Sequence, residues 1–258
     1  MRAAYSCGLA LAALWAGGAA PVAAVEVVTL TANRDNTLYE TDPDQGGQVF
    51  ERSNGQGIYL FVGRTGSDGG NRLRRALIAF DVAGQVPAGA SVRYVKLTLS
   101  LSQASPGSPP LAIELHRATA DWGEGASNAL ASEGQGAAPA PGDATWFQTF
   151  YGMNPAKLWT KPGGDYAAQS SSNATATTVT GLIAWLCTAA LVADVQAWLN
   201  NPASNQGWVV LGDGGPFSAH RFISRNSARI DERPQLMVAY QPPGEILADG
   251  FEDGLPCN

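Results

Sequence analysis

The chain is short of the residues that most often carry out chemistry. It has two histidines, His116 and His220, and three cysteines, Cys7, Cys187 and Cys257. Neither a Gly-x-Ser-x-Gly elbow nor a His-Glu-x-x-His pair occurs, so two common local signatures of hydrolytic enzymes are missing. Charged residues make up only 15% of the chain, and 16 Lys and Arg against 22 Asp and Glu leave a net charge of −6. That balance argues against nonspecific nucleic-acid binding, which draws on excess basic charge. It leaves any attraction for an acidic polymer to a local basic patch. Long apolar runs are also lacking beyond the leader. The stretch from Gly181 to Leu199 comes nearest, and Thr188, Asp194 and Gln196 interrupt it, so no membrane span is expected.

Glycine, at 30, and proline, at 16, are plentiful. Residues 1–24 read as a Sec-type signal peptide: a charged start at Arg2, an apolar core from Leu9 to Trp15, and small residues before a cleavage after Ala24. Cys7 lies inside it. Such a leader implies a secreted or cell-surface protein. Residues 25–240 then fit one all-β domain, and residues 241–258 read as an acidic tail with Asp249, Glu252 and Asp253 around Phe251. Cys187 sits in an apolar context and reads as a buried thiol. Cys257 is on the polar tail, and export makes a disulfide between the two permissible.

Period-two alternation marks several strands. Val95, Leu97, Leu99 and Leu101 share one face, as do Leu111, Ile113 and Leu115. Ala76 to Phe80 is continuously apolar, as for a strand buried on both faces. Further strands are expected within Val25–Leu30, Ile58–Val62, Gly207–Leu211, Ala219–Ser224 and Pro234–Tyr240. Gly/Pro-rich turns separate them, among them Gly69-Gly70-Asn71, Pro87-Ala88-Gly89, Pro106 to Pro110 and Asp213 to Pro216. One amphipathic helix is clear, with Leu191, Val192, Val195, Trp198 and Leu199 on a single stripe and Pro202 to stop it. The pattern predicts a jelly-roll-like antiparallel β-sandwich with one short capping helix. Gly123 to Pro141 reads as a long surface loop, and an aromatic-rich excursion from Trp146 to Tyr166 follows it.

Several separated blocks resemble the DNRLRE-domain proteins, secreted β-sandwich modules related to carbohydrate-binding module family 96. They are Asn36-Thr37-Leu38-Tyr39-Glu40, Arg75 to Asp81, Ala120 to Gly125, Gly142 to Trp146, Leu191 to Trp208, Arg221-Phe222 and Arg233 to Leu236. In this chain Asn226-Ser227 follow Ser224-Arg225, where related sequences carry an acidic residue. Cys187 stands where they carry a small polar one. The resemblance implies a noncatalytic binding or structural module, some relatives of which bind polysaccharide, including acidic alginate-like chains.

Sugar binding requires exposed aromatic faces and planar polar groups. Trp146, Tyr151, Trp159 and Tyr166 in or near the excursion supply the first, unless they pin the loop to the sandwich. Trp122, Trp198 and Trp208 read as core. Arg221 and Arg225, about 13 Å apart on one strand face, supply the second, and Arg72 with Arg74 form another such pair. The plain alternative is that these arginines are paired internally. Extracellular polysaccharide is therefore the expected partner. A structural or adhesive surface protein without a glycan ligand is the main alternative. A polysaccharide lyase or hydrolase is the third, with Asp121 and Glu124 as its paired carboxylates, although a turn around Trp122 explains these two as well. No cofactor is expected. A structural calcium ion would be the exception, because Asp35, Glu40, Asp42 and Asp44 cluster early, but their spacing fits no recognised calcium loop.

Overall fold

The computed structural model describes residues 25–41, 50–104, 109–212, 214–215, 217–244 and 257. The expected leader, Asp42 and Asp44, parts of two expected turns (105–108, Asp213 and Pro216) and nearly all of the expected tail lie outside these residues. In chain order the strands are β1 (Glu26–Thr31), β2 (Arg34–Tyr39), β3 (Tyr59–Arg64), β4 (Leu73–Ala79), β5 (Ser91–Ala104), β6 (Leu111–Arg117), β7 (Gln148–Phe150), β8 (Lys157–Leu158), β9 (Ser172–Ala176) and β10 (Gly181–Trp185). Helix α1 (Ala189–Asn200) follows, then β11 (Trp208–Leu211), β12 (His220–Ile223) and β13 (Gln235–Gln241).

All but β7 and β8 join one sheet in the order β1-β13-β5-β12-β3-β4-β11-β6-β9, with β10 added to β5 and β2 added to β4. Every pairing is antiparallel. The sheet curls on itself, so the fold is the expected all-β sandwich with one short helix. Strand β3 makes the corner. Its residues Tyr59 to Val62 pair with β12, and Gly63 and Arg64 pair with β4. Gly63 has φ +114, and a Cβ there would lie 2.3 Å from the Ser218 carbonyl oxygen. Only glycine fits that bend.

The main core lies between the facing halves. Leu60 and Val62 of β3, Val95, Leu97, Leu99 and Leu101 of β5, and Ile113 and Leu115 of β6 all point into it. Helix α1 begins at Thr188, whose hydroxyl accepts the Leu191 N–H at 3.0 Å. Leu191, Val195, Trp198 and Leu199 are buried in the same core, and the Trp198 ring meets Trp208 edge-on at 4.4 Å. Asp194 breaks the apolar stripe yet is buried. Its carboxylate accepts the Trp208 indole N–H at 3.0 Å and the Ser171 hydroxyl at 2.5 Å, so the polar interruption is a built-in anchor.

A second apolar cluster covers the other side of the sheet. Along β4, Ala76 and Ile78 face the main core, while Leu73, Leu77 and Ala79 face the second. Along β11, Trp208 and Val210 face one and Val209 and Leu211 the other. Both strands are therefore buried on both faces. The cover is the segment from Ala118 to Tyr166, including Trp122, Ala144, Trp146 and Trp159. It carries the small ribbon β7–β8. Gly123 to Pro141 is correspondingly more embedded than a surface loop: Ser127 and Glu133 are buried, and Ala137 bridges to Ser53.

Cys187 and Cys257 form a disulfide across 70 residues. The Cys187 sulfur also accepts the Val95 N–H at 3.3 Å. The free-thiol reading of Cys187 is thereby corrected: its buried sulfur is bonded to that of Cys257.

Candidate functional site

Alternation in β3 turns Leu60 and Val62 inward, which leaves Tyr59 and Phe61 on the outer face, both half-buried. Strand β12 does the same with Phe222 and Arg221. The register places Arg221 opposite Phe61 on one side and Gln103 of β5 on the other. Three side chains thus line up across three strands. The Arg221 guanidinium carbon lies 4.0 Å from the centre of the Tyr59 ring, and its Nε donates to Ser102 Oγ at 3.0 Å. Its two terminal amino groups make no hydrogen bond or ion pair among the described residues. They are donors in search of an acceptor.

A 3₁₀ turn, Leu130–Gln135, forms the wall beside this row. It is pinned from several directions. The Tyr39 hydroxyl donates to the Glu133 carbonyl at 2.6 Å, and Arg74 Nε donates to the Gly134 carbonyl at 3.3 Å. The Glu133 carboxylate accepts the Tyr59 N–H and the Asn54 amide, both at 2.9 Å. Arg74 stacks 4.9 Å above the Tyr39 ring. Burial pushes the Tyr39 phenol well above its ordinary range, so it remains a neutral donor. Burial also lowers the Arg74 guanidinium from its ordinary value, with Tyr39 and Glu40 opposing that shift.

The result is an open groove of about 570 Å³ lined by Tyr59, Phe61, Arg74, Gln103, Leu130 and Arg221, among others. Its size suits a small-molecule or oligomer segment. Ring surfaces on its floor offer apolar contact, and the free ends of Arg221 offer paired donors to a hydroxyl or carboxylate. His220 also lines the groove, but it is fully buried. Its Nδ1 is 2.7 Å from the Ser218 carbonyl and its Nε2 is 3.3 Å from that of Thr177. Both ring nitrogens face backbone oxygens, an arrangement that holds a ring in place and presents no free nitrogen to a substrate.

Of the eight residues offered from sequence as ligand contacts, Arg221 and Arg74 line this groove. Trp146 and Trp159 are only 6% and 5% exposed, and the Trp159 indole N–H donates to the Thr145 carbonyl at 2.8 Å. Their ring faces are spent on the outer side of β4 and β11, which corrects the reading of them as sugar platforms. Tyr166 is half-buried against the same cluster, with its ring 5.3 Å from His116 and the Arg75 guanidinium 5.6 Å above it. Tyr151 is half-buried in the turn after β7, where its carbonyl accepts the Gly142 N–H. Neither tyrosine lines the groove.

Arg225 does not share a strand face with Arg221. Strand β12 ends at Ile223, where the Ser224 hydroxyl donates to the Gly57 carbonyl at 2.6 Å and the chain turns. The Arg225 N–H then donates to Asp35 at 2.7 Å. Its guanidinium grips Glu124 through Nε at 2.5 Å and a terminal nitrogen at 2.6 Å. Glu124 in turn accepts the Asp35 N–H at 3.0 Å. Asp121 pairs with Arg34 at 2.9 Å and also accepts the Trp122 N–H. Asp121 and Glu124, the carboxylates of the cleavage alternative, are thus held in separate structural networks. Of the early acidic residues, Glu40 accepts the Leu73 N–H and Asp35 is buried under Arg225, so both already have protein partners.

No protein-family model matches the chain, and no curated protein matches it.

Tyr59, Phe61, Gln103 and Leu130 were not legible as site residues. A signal for the first two does exist, because Tyr59-Leu60-Phe61-Val62 alternates large aromatic with aliphatic residues. A strand that turns aliphatics inward and aromatics outward is a good place to look for a platform.

Proposed function

We propose that this protein is a secreted, noncatalytic module that binds extracellular polysaccharide along the groove over β3, β5 and β12. The observation that carries the reading is the alignment of Tyr59 and Phe61 with Arg221, whose terminal nitrogens remain unpaired among the described residues. Sugar rings have an apolar face and a polar rim, and this floor matches both. The Cys187–Cys257 disulfide supports an oxidising compartment, in keeping with export. The resemblance to DNRLRE-domain proteins points the same way. Chain cleavage by Asp121 and Glu124 has less support, since each is engaged by an arginine.

Affinity electrophoresis of the mature chain in gels containing alginate, pectin, soluble chitin or neutral glucans tests the proposal. Retardation by at least one polymer, lost on Arg221→Ala, is expected. Unretarded migration in all of them would sink it.

A further inference from the structure

Leu130 lines the groove from the pinned 3₁₀ turn, and three facts about it do not fit a structural role. The residue is 75% exposed. It belongs to neither apolar cluster. Its backbone has φ +51, the left-handed region that bulky residues rarely enter. Two other described non-glycine residues share a positive φ, and each has an explanation. Asn71, at φ 54, is of a residue type that tolerates this conformation. Phe217, at φ 62, lays its ring on Gly66, where an added Cβ would come within 2.2 Å of the ring. Leu130 joins neither apolar cluster in return for its strain.

The conformation is imposed from outside the residue. The Leu130 N–H donates to Asn128 Oδ1 at 2.8 Å, and the Ala129 N–H donates to Asn54 Oδ1 at 2.9 Å. Asn54 also donates to the Glu133 carboxylate that receives the Tyr59 N–H. The hydrogen bonds that fix the floor of the groove therefore also fix the backbone that holds Leu130 out over it. Glycine or asparagine would satisfy that backbone with less strain. An exposed leucine held in this strained backbone beside the groove is placed to touch whatever the groove holds.

We infer that Leu130 is a ligand-contacting residue of the groove, its isobutyl group closing against the apolar face of a sugar laid over Phe61 and the Tyr59–Arg221 stack. This rests on the polysaccharide reading above. It adds a selective element to that reading: a wall that favours a ring face rich in C–H groups over one studded with hydroxyls.

The test compares the mature chain with Leu130→Gly, Leu130→Asn and Arg221→Ala in gels containing whichever of alginate, pectin, soluble chitin or neutral glucan retards the wild type. Thermal melts run in parallel. Both Leu130 variants should melt at or above the wild-type temperature, because strain is relieved, and should bind roughly ten-fold more weakly, as for the loss of a covered leucine. Wild-type retardation in the Leu130 variants, with Arg221→Ala released, would overturn this inference and leave the groove reading intact. Lowered melting in both Leu130 variants would overturn it as well, since it would give the leucine a structural role. A wild type that no polymer retards would overturn the groove reading and this inference together.

Discussion

The guanidinium carbon of Arg221 lies 4.0 Å from the centre of the Tyr59 ring, while Ser102 Oγ accepts a hydrogen bond from its Nε–H. Two contacts hold the group at the groove and leave its terminal nitrogens without a partner among the described residues. Preorganisation of this kind lowers the cost of ordering a long side chain on binding.

If the planar group matters, lysine cannot replace it. A lysine at position 221 keeps the charge but loses the fork and most of the stacking. Arg221→Ala should weaken glycan retention by about ten-fold or more, equivalent to about 1.4 kcal/mol. Arg221→Lys should recover only part of it. Tyr59→Ala should resemble Arg221→Ala, because it removes the ring that supports the guanidinium. Affinity gels at low and moderate salt measure all three. Equal retention by Arg221→Lys and the wild type would show that charge alone suffices.

The tryptophans of the excursion should behave in the opposite way. Trp159 is buried in the second apolar cluster and hydrogen-bonded to Thr145. Replacing a buried tryptophan by alanine costs about 3–5 kcal/mol through lost transfer and an unfilled cavity. Trp159→Ala and Trp146→Ala should therefore lower urea midpoints sharply, while the fraction that stays folded keeps its glycan retention. A variant with normal stability and lost binding would return these residues to the ligand site.

This reversal shows where sequence stops being legible. The alternation of Val95, Leu97, Leu99 and Leu101 reads directly as the inner face of β5, because period two is a local property. The continuous apolar run in β4 reads just as directly as a strand covered on both sides. What covers its outer face is not local, and the aromatics from Trp122 to Trp159 supply it from a segment with no strand pattern of its own. Strand β2 was harder still. Asp35, Asn36 and Thr37 are all buried there, with no apolar period to mark them. Asn36 donates to Ser53 Oγ at 2.9 Å and to the Glu124 carbonyl at 2.9 Å, partners distant in sequence that make polar burial tolerable. The groove depends on register in the same way. That Arg221 meets Phe61 and Gln103 follows from which residues pair across β3, β12 and β5, and no single segment contains that information.

Glu124 offers a direct check on the structural reading of the Ala120–Gly125 block. Its carboxylate receives two donors from Arg225 and one from the Asp35 backbone. Glu124→Ala strands all three in a largely enclosed place, which should cost roughly 2–4 kcal/mol. Glu124→Gln keeps the shape and one acceptor and should cost less. Neither should alter glycan retention by the folded protein. Reducing-end assays on alginate and pectin complete the comparison: chain cleavage by the wild type that vanishes in Glu124→Gln would restore the enzymatic alternative.

Beneath that ion pair, Asp35 is fully buried, and desolvation pushes its carboxyl up to about 8 from an ordinary 3.8, with the Arg225 backbone N–H drawing it down and Glu124 pushing it further up. The sign of its effect on stability follows from proton counting. Between pH 4 and 8 the folded protein holds a proton at Asp35 that the unfolded chain has already released. The folded state therefore binds more protons across this window, and stability declines as pH rises through it, by at most about 1.4 kcal/mol per pH unit. Above pH 8 both states have lost the proton and the decline stops. Asp35→Asn keeps an acceptor for the Arg225 N–H but has no proton to lose. Its stability relative to the wild type should therefore rise steadily from pH 5 to pH 8 and level off beyond. Urea unfolding of both chains at half-unit intervals measures this difference, in which groups titrating identically in both proteins cancel. Parallel pH profiles for the two would mean that Asp35 is ionised throughout, stabilised by Arg225 more strongly than burial opposes it.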